Sequence, residues 1–186
     1  KEQVIVSGLA KGCDVIAHEE CMRLGGKTIA ILPSPINEVL PKEHTKQAKQ
    51  IVETGGLLIS EYYTSPSNPR FEMTKRYIER DRLQAMFAKV VILIASYAVK
   101  KGDSGARHAM NKALKYKHQT CVMYDKKNDS HVDEMELNKQ FVEAGSVKVL
   151  AKAARKNPAF ITIDEIAKYK ISTLERVTST KQDNLF

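Results

Sequence analysis

The chain has 186 residues, 42% of them hydrophobic and 28% charged, with nine glycines and six prolines. That profile is globular, long enough for one α/β core plus a tail and too short for two ordinary domains. The formal charge of +8 attracts polyanions and points to nucleic acid as a partner, although a solvated lysine surface has the same composition. Cys13, Cys21 and Cys121 have no metal-ligand spacing, and no apolar run reaches secretory or membrane-spanning character. The expectation is a reducing, cytoplasmic compartment, with no metal, no other cofactor and no membrane contact.

Val4-Ile5-Val6 is a β-branched run that stops at Ser7-Gly8, and helical spacing follows through Asp14, Ile16, Ala17, Cys21, Met22 and Leu24 to Gly25-Gly26. This predicts a strand, a tight turn and a helix. Residues 28–32 are apolar on both faces and end at Pro33, as a strand covered on both sides should be. A helix is predicted over about 42–53, ending at Gly55-Gly56, then a buried strand over 57–60. Pro66, Ser67, Asn68 and Pro69 mark a loop within 62–70. A basic helix over about 71–88 leads into the most apolar strand, 90–95, and a glycine-containing turn at 101–105. Helices over about 106–116 and 134–144 then alternate with strands over 120–124 and 147–150.

Alternating strands and helices with short loops imply right-handed crossovers, and hence an α/β fold with a doubly wound, mostly parallel sheet of extended Rossmann type. Residues 1–150 form that core. It opens on Lys1 and enters a strand almost at once, so it is expected to lack a preceding strand and helix. Lys152, Arg155 and Lys156 set residues 151–176 apart as a basic extension, and 177–186 lose apolar periodicity as a flexible tail.

Ligands of doubly wound sheets collect beyond the carboxyl ends of the strands, where amides and helix N-termini face an anion. Three features fall there. The loop Ser7-Gly8-Leu9-Ala10-Lys11-Gly12-Cys13-Asp14 follows a strand and opens a helix; its glycines allow close approach and Lys11 adds a cation. Its glycine spacing is neither the dinucleotide fingerprint nor a P-loop, and the same residues also read as a plain turn. In the second loop Ser104 and the Gly105 amide can bind an oxyanion that Arg107 neutralises. The third feature is the basic helix, on which Arg76 and Arg80 share a face at i, i+4 while Arg82 points elsewhere. Glu79 and Asp81 make a solvated, charge-balanced face the alternative reading.

The order of these motifs resembles the DNA-processing protein A (DprA/Smf) family. It is carried by residues 6–14, by Ala17-His18, by residues 25–32, and by Pro41 with Glu43-His44. Residues 56–61, Arg80-Asp81-Arg82 and Ser104-Gly105 follow in the family's order, and the resemblance spans roughly residues 4–124. It implies an extended Rossmann-like fold, single-stranded DNA held in a basic pocket, self-association as a homodimer, loading of the recombinase RecA, and no conventional catalytic set. By that resemblance Ser7, Gly8, Lys11 and Gly12 line an anion pocket, and Arg80 and Arg82 match an Arg-Asn-Arg motif in which Asp81 replaces Asn. His18 also matches a family position, but a packing or capping role in the first helix suits it better.

A rival from another class has the same type of fold: the lysine-decarboxylase-like phosphoribohydrolases, which release a base from a nucleoside monophosphate. Their Pro-Gly-Gly-x-Gly-Thr signature and following glutamate are absent at residues 101–108, where Asp103 is the one candidate acid or base and has no evident partner. A nucleotide-sensing module without DNA affinity is the third reading. At the chain end, Gln182, Leu185 and Phe186 resemble the bacterial sliding-clamp-binding motif Gln-x-x-Leu-Phe, carried on a polar linker.

Overall fold

A computed structural model of the chain describes residues 3–102, 105–145 and 147–149. Strand β1 (Val4–Ser7) is followed by helix α1 (Cys13–Arg23) and β2 (Lys27–Leu32), then by a short 3-10 turn (Lys42–His44), α2 (Thr45–Glu53) and β3 (Leu57–Ser60). The long helix α3 (Pro69–Phe87) leads to β4 (Val90–Leu93), α4 (Ala106–Lys115) and β5 (Gln119–Val122). After β5 come α5 (Lys126–Asp129), a 3-10 turn (Asp133–Met135), α6 (Glu136–Glu143) and β6 (Lys148–Val149).

All strand pairs are parallel, as the alternation requires. They form two three-stranded ladders, ordered β1-β2-β3 and β4-β5-β6. The expected single hydrogen-bonded sheet is thus divided: among the described residues β1 and β4 each pair on one edge. Side-chain alternation in β2 explains the two-sided covering. Ala30 and Leu32 join Leu9, Val39, Ala48 and Ile51 in one core under α1 and α2. Ile31, equally buried, faces the opposite side, where α3 crosses β2. A second core gathers Leu93, Met110, Val122, Tyr124 and Leu137 between β4, β5, α4 and α6.

Element ends moved by one to three residues for local reasons. Helix α3 starts at Pro69 rather than 71, because proline at the first helical position forfeits an amide that has no partner anyway. The four-residue α5 was not anticipated; Asp125 caps it, its carboxylate accepting from the Lys127 amide at 2.9 Å. Helix α6 donates Asn138 Nδ2 to the carbonyls of Ile94 (2.9 Å) and Met123 (2.7 Å), fastening the carboxyl ends of β4 and β5. Among the described residues no helix is long and apolar enough to cross a membrane. The basic extension and the tail with Gln182, Leu185 and Phe186 lie outside the described residues, as do Asp103 and Ser104.

Candidate nucleic-acid interface

The glycine loop between β1 and α1 sits at the carboxyl end of its strand, where the fold collects ligands. It is held from three directions. The Asp14 carboxylate, in the first turn of α1, accepts from the amides of Gly8 (3.1 Å) and Ala10 (3.2 Å). His44 Nδ1 donates to the Leu9 carbonyl at 2.8 Å, and Arg80 Nη1 donates to the Gly8 carbonyl at 2.7 Å. Leu9 itself is fully buried at φ 59°, a left-handed conformation that a branched residue keeps only where its surroundings over-determine it.

This geometry corrects the picture of an open phosphate cradle. The Gly8 and Ala10 amides already have a carboxylate where an anion would sit, so the loop is framed from within. Gly8 is required for another reason: a Cβ there would overlap the Arg80 guanidinium. Gly12 has φ 84° and precedes α1, and Lys11 beside it is exposed with its ammonium 2.9 Å from Glu43. Ser7 ends β1, opposite Ala30 of β2.

The basic helix also differs from expectation. Arg80 and Asp81 are buried, so the solvated-face alternative does not describe them. Arg80 Nη2 lies 3.3 Å from Asp81 Oδ1, and Gln84 Nε2 donates to the same oxygen at 3.3 Å. A Cβ on Gly105 would stand 3.2 Å from Asp81 Oδ2. Successive residues of α3 therefore reach both strand-end loops: Arg80 the loop after β1, Asp81 the one after β4. Asp81 supplies a charge that matches the buried Arg80 guanidinium.

Arg76 and Arg80 do not act as a shared exposed face. Arg76 stacks its guanidinium 4.2 Å from the Tyr62 ring centre, donates to the Thr64 carbonyl at 2.9 Å and pairs with Glu72 at 3.5 Å. Burial and the Glu79 carboxylate push the Tyr62 hydroxyl up to about 12, so it stays a proton donor to Glu79 at 2.7 Å. Arg82 does point elsewhere: one of its nitrogens lies 2.6 and 2.7 Å from the two Glu61 oxygens, half in solvent. Gly105, at φ 87°, caps α4, and Arg107 in its first turn has Nη2 3.5 Å from His108 Nε2. The structure thus brings Gly8, Arg80, Asp81 and Gly105 together, and places Arg76 and Arg82 on the neighbouring surface with carboxylate partners.

The supporting roles of Asp14, His44 and Gln84 were not read from the sequence. Asp14 had a signal, as an acid in the first turn after a glycine loop. His44 stood in the Glu43-His44 pair that carries the resemblance, but its partner, thirty-five positions away, had no local signal. His18 is a packing residue, as anticipated: it is fully buried, with Nδ1 2.6 Å from Thr28 Oγ1, which in turn donates to the Ile5 carbonyl at 2.9 Å. Burial holds its imidazole down to about 4 against the pull of Asp14, so it is neutral. Among the described residues no group of His, Cys, Asp and Glu could hold a metal ion.

Comparison with known proteins gives consistent matches. A family model described as DNA recombination-mediator protein A covers residues 1–162. Protein Smf of Escherichia coli is 40% identical over 58 residues, which are 31% of this chain and 16% of that protein. DNA processing protein DprA of Streptococcus pneumoniae is 37% identical over 75 residues, 40% of this chain and 26% of that one. The X-ray structure of the S. pneumoniae protein superposes with a TM-score of 0.64 at 25% identity, covering 81% of this chain and 48% of its own. The chain therefore spans about half the length of that solved relative.

Proposed function

The chain belongs to the DNA recombination-mediator protein A family, and on that premise we propose that it binds single-stranded DNA during DNA processing and recombination. The observation that carries this reading is the β1–α1 loop. It is a glycine turn at the carboxyl end of a parallel strand, clamped by Arg80, His44 and Asp14, in a chain of net charge +8. The clamped residues are the frame. Contact falls to the exposed cations on its rim, Lys11 and Arg82, together with the loop that contains Ser104, Gly105 and Arg107. An exposed ion pair is worth only about 0–1 kcal/mol, so a phosphate can replace Glu43 or Glu61 as partner at little cost.

In this reading the protein has no catalytic residues and needs no cofactor. It acts as a homodimer that presents the bound strand to a RecA-type recombinase, and the tail residues Gln182, Leu185 and Phe186 tether it to the sliding clamp. Fluorescence anisotropy with a labelled oligodeoxythymidylate tests the contact set. Lys11→Ala/Arg82→Ala weakens binding and lowers the salt slope by about 1.4, or 0.7 for each lost phosphate contact. Unchanged affinity and slope would remove the rim from the interface. Calorimetry of the clamp with the intact chain and with Leu185→Ala/Phe186→Ala tests the tether; equal heats from both deny it.

A further inference from the structure

Near the strand-end loops the cations are matched by carboxylates: Lys11 by Glu43, Arg76 by Glu72, Arg80 by Asp81 and Arg82 by Glu61, and, also on α3, Lys75 by Glu79. At the other end of the strands, where β4 and β5 begin, the balance is different. The register pairs Val90 with Gln119, so Lys89, just before β4, and Lys117, two residues before β5, lie at the entrances of adjacent strands, with Lys115 closing α4. All three lysines are exposed, and among the described residues none has a carboxylate within ion-pair distance. Like charges gathered at one end of the strands repel, so this arrangement gains nothing from internal pairing.

Aromatic groups lie among these cations. Phe87, at the end of α3, is 53% exposed. His118 Nδ1 donates to the Ala85 carbonyl at 3.0 Å, which fastens the last turn of α3 to the start of β5. The Tyr116 and His118 rings are tilted at a centroid separation of 5.7 Å.

The backbone adds an independent observation. Helix α4 ends in a Schellman motif, with the Lys117 amide bonded to the Leu114 carbonyl at 3.0 Å and the His118 amide to the Ala113 carbonyl at 2.9 Å. The residue in the left-handed position is Lys117, at φ 58°. Helices α1, α2 and α6 place Gly25, Gly55 and Gly145 at the equivalent point. A side chain there is disfavoured relative to glycine, so a lysine at the one end that adjoins Lys89 and Lys115 is placed against local preference. Such a position is a reason to look for a role in binding.

We propose that this edge, formed by Lys89, Lys115 and Lys117 with Phe87 and Tyr116, is a second surface for single-stranded nucleic acid, separate from the strand-end loops. The lysines meet phosphates, and the rings offer a face on which an unpaired base can stack. A duplex keeps its bases stacked and would leave the rings without a partner, and an acidic peptide would use the cations alone.

Anisotropy with oligodeoxythymidylate, its duplex form and polyglutamate as competitor tests this on the full chain. Lys89→Ala/Lys115→Ala/Lys117→Ala lowers the salt slope by about 2 and the affinity by about tenfold or more. Phe87→Ala weakens binding by about fivefold with the slope unchanged, because stacking releases no counterions. Lys117→Gly weakens binding while the melting temperature holds or rises, which separates loss of contact from loss of fold. Wild-type affinity and slope in the triple variant, or no oligonucleotide binding by the parent chain, overturns the proposal. So does displacement by polyglutamate as effective as by oligonucleotide of equal charge, which would assign the edge to an acidic protein segment.

Discussion

Removing the Asp81 carboxylate is the sharpest perturbation of the frame. Asp81→Ala takes the countercharge from Arg80, whose side chain is only 7% exposed, and leaves its guanidinium buried beside the Gly8 carbonyl. Breaking one side of a buried ion pair costs about 3–5 kcal/mol. For a chain of this length each kcal/mol is about 2–4 °C, so the melting temperature falls by about 6–20 °C. Asp81→Asn is milder, since the amide oxygen still accepts from Gln84 and the volume is kept. Arg82→Ala is the control: its pair with Glu61 is 35% and 40% exposed, and after solvent screening the loss is about 0–1 kcal/mol. Urea unfolding followed by circular dichroism reads all three, and equal m-values confirm that the native state alone is affected. If Asp81→Ala unfolds within about 1 kcal/mol of Arg82→Ala, the pair does not hold the two loops as described.

Stability also depends on His18, whose pKa is about 4 in the fold against 6.5 ordinarily. The unfolded chain binds more protons between those values, so this contribution is full above 6.5 and is lost as pH falls through about 4, amounting to about 3 kcal/mol. His18→Asn should narrow the gap between urea midpoints at pH 7.5 and pH 4.5, and an unchanged gap contradicts the assignment. Gly56→Ala should destabilise by about 1–3 kcal/mol, because its Cβ would overlap the Thr28 carbonyl and stand 2.8 Å from that of Ile51, both backbone atoms. Gly25→Ala meets open space and suffers only from its φ of 72°, about 1 kcal/mol; equal losses at the two sites would deny the crowding at Gly56. Chromatography of nucleoside monophosphates incubated with the chain should show no free base, whereas release abolished by Asp103→Ala would reassign it as a hydrolase.

The succession of elements was legible because its signals are local. β-branched runs stop at glycine or proline, and Gly25 and Gly55 end α1 and α2 where the sequence places them. The glycine loop could be located for the same reason. Its mode of support could not, since the Arg80–Gly8 bond joins residues seventy-two positions apart and the His44–Leu9 bond thirty-five. Helical spacing put Arg76 and Arg80 on one face and Arg82 on another, but which of them is buried depends on how α3 lies across β1, β2 and α4. The division into two ladders has the same origin, because strand adjacency is set by tertiary packing and carries no mark in the strands themselves.

The account rests most directly on preference for single-stranded DNA, and anisotropy titrations at 50 and 200 mM salt against single-stranded DNA, duplex DNA and mononucleotides measure it. Tight, steeply salt-dependent binding of the single strand, weaker binding of duplex and no competition by mononucleotides is the predicted result. Mononucleotide binding with no affinity for the single strand at either salt would make the chain a nucleotide-binding module and contradict the account.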